Sequence, residues 1–232
     1  MQRGVLQALL AARAATRPVV LLTPLDGSAQ RVLDAPGFEL LEMTDAPLAQ
    51  AARDALASDR AVVMSSGGVD RLLTPQNPPL RLIIVGAVHI AEVLCVMARA
   101  TGYAVTVVDP RSAFLRPDRF PEVQLVDQWP QQAFAELRPD SRTAVVLLTH
   151  DPKIDDPALL AVLPTEAFYV GALGSTRTHA RRLERLAAAG VGEAGRLRIR
   201  GPAGLAIGAR TPAEIALSVL AQMTQQLRGA TP

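Results

Sequence analysis

Aromatic residues make up only 3% of this 232-residue chain, so Ala, Leu and Val must fill its core. Cysteine is rarer still. Cys95 stands alone, which excludes an internal disulfide, a CxxC redox pair and a cysteine-rich zinc site. Its apolar neighbours mark it as a core residue rather than a reactive thiol. Lys153 is the sole lysine, and every other one of the 24 basic residues is arginine. Genome base composition can account for that bias; arginine also suits bidentate contacts to phosphate or carboxylate. An excess of one charge is missing too, since 24 basic and 22 acidic residues leave +2. A dedicated nucleic-acid binder usually carries a basic face or tail instead. No apolar run reaches the roughly 18 residues of a membrane span. The start, Met1-Gln2-Arg3-Gly4-Val5, lacks an apolar stretch with a cleavage site. The expectation is a soluble cytoplasmic protein that binds neither nucleic acid nor membrane.

What is present suffices for a packed core: 49% of residues are hydrophobic and 20% charged. The chain reads as two parts. Residues 1–74 are expected to form a small α/β domain, with helix-like stretches near 2–15 and 46–57 and apolar runs at 19–22 and 61–64. Pro75, Pro78 and Pro79 suggest a stiff connection, because proline fixes its own φ and restricts its predecessor. From residue 81 the rhythm becomes regular. Apolar runs at 82–85, 105–108, 123–126, 144–148 and 168–170 alternate with amphipathic stretches at 89–101, 130–138, 156–163, 176–189 and 212–228. Continuous apolar strands separated by helices describe a parallel sheet covered on both faces. Residues 75–232 are therefore expected to form a Rossmann-type, doubly wound α/β domain. Thr211-Pro212-Ala213-Glu214 places a cap, a proline and an early carboxylate in the order of a helix start.

Chemistry is sought where such strands end. The first runs into Gly86-Ala87-Val88-His89-Ile90-Ala91, the place of a dinucleotide-binding GxGxxG/A loop. Val88 occupies the second glycine position and would fill the space a pyrophosphate needs. Asp109 ends the next strand, about 20 residues on, where an acidic side chain reaches a ribose hydroxyl. Without a ribose-bearing ligand it is expected to pair locally with Arg111. His89, His150 and His179 each follow a strand, on the edge where open α/β sheets hold ligands. Metal binding, ligand orientation and proton shuttling all remain open for them. Gly171-Ala172-Leu173-Gly174-Ser175 is a second small-residue turn, with Ser175 or Thr176 as cap and Arg177 near the helix start. Arg181 and Arg182 read as a solvated face. Gly204 and Arg210 belong to a third glycine-rich turn. His150, Arg177 and His179 are expected to line one cleft, with Gly171 and Gly174 as its floor.

Taken in order, several strings resemble the XdhC/CoxI family, the accessory proteins of xanthine dehydrogenase and related molybdenum hydroxylases. They are Pro78 through Gly86, His89-Ile90-Ala91, Val107-Val108-Asp109-Pro110-Arg111, Thr149-His150-Asp151-Pro152, Phe168 through Ser175 with Arg177 and His179, and Gly201 through Ala216. The resemblance covers about residues 70–228. It implies a chaperone without turnover that binds molybdenum cofactor, as molybdopterin or its dinucleotide form, assists its sulfuration and delivers it. The implied partners are an apo molybdenum hydroxylase, a cysteine desulfurase and a second copy of the chain. The positions carried over for cofactor binding are Gly86, His89, Asp109, His150, Gly171, Gly174, Ser175, Arg177, His179, Gly204 and Arg210. Two features depart from the family pattern. Val88 replaces a glycine, and no cysteine precedes Cys95, so cysteine ligation of molybdenum from the N-terminal domain is not carried over. An NAD(P)-dependent oxidoreductase on the same sheet edge is the alternative, favoured by Asp109 and opposed by Val88. A maturation scaffold without cofactor is a third reading.

Overall fold

The computed structural model describes residues 2–229 and divides the chain into two units between Pro78 and Pro79. The first contains α1 (Arg3–Ala14), β1 (Val19–Pro24), β2 (Arg31–Leu33), α2 (Ala35–Thr44), α3 (Ala46–Ser58), β3 (Val62–Ser66) and β4 (Val69–Gln76). Its sheet has the order β2-β1-β4-β3 and is antiparallel throughout. Asp34 and Asp45 cap α2 and α3, each accepting a backbone N–H and each followed by an early proline. Val20, Leu22 and Leu73 bury one face against Leu41, Leu48, Ala49 and Ala52. Pro75, expected in the connection, instead lies in β4 opposite Val20. It sits beyond Leu73, the last β4 residue paired with β3, so its missing N–H removes no bond on that side.

The second unit runs β5 (Arg81–Val85), α4 (His89–Ala100), β6 (Ala104–Val108), β7 (Gln124–Val126), α5 (Pro130–Leu137), β8 (Thr143–Leu147), α6 (Pro152–Val162), β9 (Tyr169–Ala172), α7 (Thr176–Ala188), α8 (Glu193–Leu197), β10 (Ile199–Arg200) and α9 (Pro212–Arg228). The strand order is β10-β9-β8-β5-β6-β7, and every pair is parallel. This is the expected doubly wound Rossmann order. Alternation along each strand feeds two cores. Leu82, Ile84, Val105, Val107 and Val146 meet Leu94 and Cys95 of α4 and Val219 and Met223 of α9. Ile83, Val85, Val145, Leu147 and Val170 meet Phe134 of α5, Leu159 and Val162 of α6, and Leu186 of α7. Both faces are therefore covered, and the strands read as unbroken apolar runs.

Helix α6 starts at Pro152, earlier than its apolar pattern suggests. Asp151 caps it by accepting the Lys153 amide at 2.9 Å, and Pro152 fills the first helical position. Among the described residues no helix is long and apolar enough to cross a membrane. The chain leaves β5 for α4 on one face and β8 for α6 on the other. The reversal of strand order between β5 and β8 is the topological switch point, where doubly wound sheets hold ligands.

Candidate functional site

The turn after β5 is set by Gly86, which has φ +111°. Its amide donates to the Val108 carbonyl at 2.9 Å. A Cβ there would come within 2.6 Å of Thr149 Cγ2, so the turns leaving β5 and β8 pack too closely for any side chain. Val88 precedes α4 without supplying a side-chain cap, and its side chain packs on the core beneath. His89 opens α4 and is 88% exposed, with Nδ1 3.3 Å from Glu92 Oε1. Glu92 is held in turn by Arg119, whose Nε and Nη2 donate to Oε1 at 2.9 and 2.5 Å.

Asp109 does not present a free carboxylate to a ribose. It is fully buried, and both oxygens are occupied. Oδ1 accepts from the Arg111 amide (3.0 Å) and Nε (2.8 Å). Oδ2 accepts from the Ala87 amide (2.9 Å) and Arg111 Nη2 (2.7 Å). The local pair with Arg111 is thus present. Burial pushes this carboxyl up, but the Arg111 side chain and the two amides outweigh it, so the net shift is downward. Arg111 also lies over the Phe114 ring, 4.6 Å from its centroid.

Next to the switch point, His150 is exposed and held at φ +60°, an uncommon backbone state for a side chain of this size. Beneath it runs a buried network. Thr149 Oγ1 donates to Asp155 Oδ1 at 2.5 Å. Arg182 Nη2 stands 3.4 Å from Asp155 Oδ2 and donates to the Leu173 carbonyl at 2.9 Å. Asp155 and Arg182 are 2% and 1% exposed, so Arg182 is not part of a solvated face. Its Nε and Nη1 have no hydrogen-bond partner. Burial raises the Asp155 carboxyl, and Thr149, Arg182 and His150 offset that only in part. Sequence reading misses this trio because its members lie on three separate segments with no shared spacing.

Ser175 caps α7, its Oγ accepting the Thr178 amide at 3.1 Å. Gly174 precedes it at φ +145°, where a Cβ would press on Thr178 at 3.2 Å. Arg177, in the first turn of α7, is exposed. His179 is partly buried: its ring lies on Gly201, where a Cβ would collide with it, and its Nδ1 is buried without a partner. Burial and then Arg182 lower its pKa. Gly171 is not a cleft floor. It is buried within β9 under the Tyr169 ring, 2.6 Å from the position of a Cβ. Gly204 is not free to meet an anion either, because Gln222 accepts its amide at 2.9 Å and donates to its carbonyl at 3.2 Å. Arg210 is exposed, and its amide donates to Glu214 Oε2 at 2.7 Å.

All six strands point the same way, so the turns after β5, β6, β8, β9 and β10 open on one edge. Within it His89 stands by Glu92, while His150 acts on Asp155 and His179 on Arg182, the two members of one buried ion pair. Among the described residues no group of three His, Cys, Asp or Glu side chains could hold a metal. A hollow of about 230 Å³ lies elsewhere, lined by Phe168, Tyr169, Leu197, Arg198, Arg200 and Gln226 at the amino-terminal ends of β9 and β10. Cys95 is buried in α4 with its thiol pushed up to about 12, chiefly by burial. It is a core residue.

Residues 82–223 match the XdhC Rossmann domain family. The chain belongs to that family. It is 36% identical over 147 residues to the molybdenum cofactor insertion chaperone PaoD of Escherichia coli (strain K12), covering 63% of this chain and 40% of PaoD. It is 34% identical over 150 residues to a probable xanthine dehydrogenase subunit of Bacillus subtilis (strain 168), covering 64% and 43%. The chain therefore spans about two-fifths of the length of these relatives. A crystal structure of a xanthine dehydrogenase from Bacillus halodurans superposes with a TM-score of 0.60 at 18% identity, covering 97% of this chain and 96% of that one. That likeness is one of fold. The XdhC match spans β5 through most of α9, so the whole sheet edge lies inside it.

Proposed function

We propose that this XdhC-family chain binds molybdenum cofactor as cargo, without turnover, and passes it to an apo molybdenum hydroxylase of the xanthine dehydrogenase type. The observation that carries this reading is the family match over residues 82–223, joined to a relative named as a molybdenum cofactor insertion chaperone. The geometry supports a place for the cargo in the unit that follows Pro79. At the edge of β8 and β9, His150, Ser175 and Arg177 are exposed, and the capped start of α7 favours an anion. There the pterin phosphate sits against Ser175 and Arg177, with Arg210 approaching from the turn after β10. Gly86 and His89 border the same opening, and His150 faces the molybdenum end. Asp109, Gly171 and Gly204 support these turns and do not touch the cargo. Assistance with sulfuration, a cysteine desulfurase as sulfur donor, a homodimer and a cytoplasmic setting complete the proposal.

Co-purification tests it. The protein should carry a pterin that fluoresces after acid oxidation. Bound nicotinamide in its place would indicate an oxidoreductase, and neither ligand a scaffold; both results reject the proposal. Arg177→Ala should weaken pterin binding by about 1.5–3 kcal/mol, the range for a charged hydrogen bond, or roughly ten- to hundredfold. Unchanged affinity would remove Arg177 from the site.

A further inference from the structure

Asp109 stands where Rossmann proteins hold the ribose of a nucleotide, and its use here is unusual. A ribose diol offers two O–H donors side by side to one carboxylate. Arg111 offers Nε–H and Nη2–H in the same side-by-side fork, at 2.8 and 2.7 Å, one to each oxygen. The Arg111 and Ala87 amides take the remaining acceptor positions at 3.0 and 2.9 Å. A carboxylate has about four such positions, so none is left for a hydroxyl. The guanidinium is also braced from outside by the Phe114 ring at 4.6 Å.

We propose that Arg111 is an internal surrogate for the ribose diol and is the residue that excludes nucleotides from this edge. A nucleotide would have to pull Arg111 off a fully buried carboxylate. Arg111 is itself 38% exposed, so it can swing out, but only by leaving that charge unpaired unless the diol replaces it completely. A 2′-phosphate is excluded more strongly, because it would bring negative charge onto an ionised carboxylate. Val88 is a second, independent obstacle, acting on the pyrophosphate instead of the ribose. The inference goes beyond the chaperone reading and does not require pterin to bind. It assigns selectivity to the half of the edge formed by β5 and β6, leaving the β8 and β9 turns for the cargo.

The test uses the full chain and two calorimetric probes, ADP and 2′,3′-dideoxy-ADP, which differ only in the diol. The unmodified protein should not distinguish them. Arg111→Ala, made alone and in a Val88→Gly background, should bind ADP about 10–100-fold better than dideoxy-ADP, the range for hydrogen bonds from the diol to the freed carboxylate. Arg111→Met retains the stem over Phe114 and serves if the alanine variant does not fold. An unmodified protein that already prefers ADP by such a factor would overturn the proposal. So would a folded double variant, with a cooperative melt, that ignores the diol. Pterin retention by the same variants reports on the chaperone reading separately.

Discussion

At the scale of single residues, the arginine bias is mostly absorbed by the protein itself. Arg198 donates to the carbonyls of Thr165 and Ala167 at 2.8 Å each, beyond the end of α6. Arg81 does the same for Leu137 and Arg138, at 2.7 and 2.8 Å. Arg111, Arg119, Arg182 and Arg185 meet carboxylates. The fork that suits phosphate suits these partners equally, so sequence alone marks Arg177 by its place at the helix start but reads Arg182 as solvated when it is buried against Asp155. Asp109 gives a measurable consequence. Its folded pKa lies below the ordinary value, so its stabilisation is fully present above about pH 4 and is lost as pH falls through the folded value. Asp109→Asn should cost about 2 kcal/mol near pH 7, less than a wholly buried pair because Arg111 reaches solvent. In urea unfolding across pH, the gap between the two proteins should close at acid pH; a constant gap would contradict this. Asp155 works in the opposite direction. Raised by burial, it stabilises the fold most below its unfolded value and loses that as pH rises through the folded one. Only the difference between variants isolates Asp109.

The elements that were legible in the sequence are those whose signals are local. The apolar runs mark β5, β6, β8 and β9, since strands buried on both faces have no polar alternation to confuse them; they mark β7 as well, although it is an edge strand with Gln124 exposed. Thr211 and Glu214 form a complete capping box at the start of α9, where the sequence marks a cap, a proline and an early carboxylate. Thr211→Ala should therefore cost about 1 kcal/mol, lowering Tm by roughly 2–4 °C, while Thr211→Ser should stay close to the parent. An unchanged melting temperature would mean that the buried stripe of Ala216, Val219 and Met223 alone fixes the helix. Other elements gave weaker signals. β10 has two residues, too few for any periodicity. The start of α6 was hidden because Pro157 interrupts it and because its cap, Asp151, directly follows His150. β4 gives no clear signal because Pro75 reads as a linker, although it pairs with Val20 past the end of β3. The edge of the candidate site was legible from strand direction. Its polar network was not, because Thr149, Asp155 and Arg182 meet only after the sheet has brought α6 beside α7.

For the whole molecule, the separation of the cores has the largest consequence. Every residue of the two cores flanking the parallel sheet lies after Pro79, and every residue of the third lies before Pro75. The family match also begins at residue 82. A unit of about 150 residues buries enough of its surface to be stable alone. The fragment 79–232 should consequently fold by itself, with a single cooperative transition in urea. It should also retain whatever pterin the full chain captures, since His150, Ser175, Arg177 and Arg210 all lie within it. Circular dichroism and pterin fluorescence on the purified fragment measure both. A fragment without a cooperative transition would show that the first unit completes the fold of the second. A folded fragment that carries no pterin when the full chain does would show that residues before Pro79 contribute directly to the cargo site, moving it off the edge of the parallel sheet.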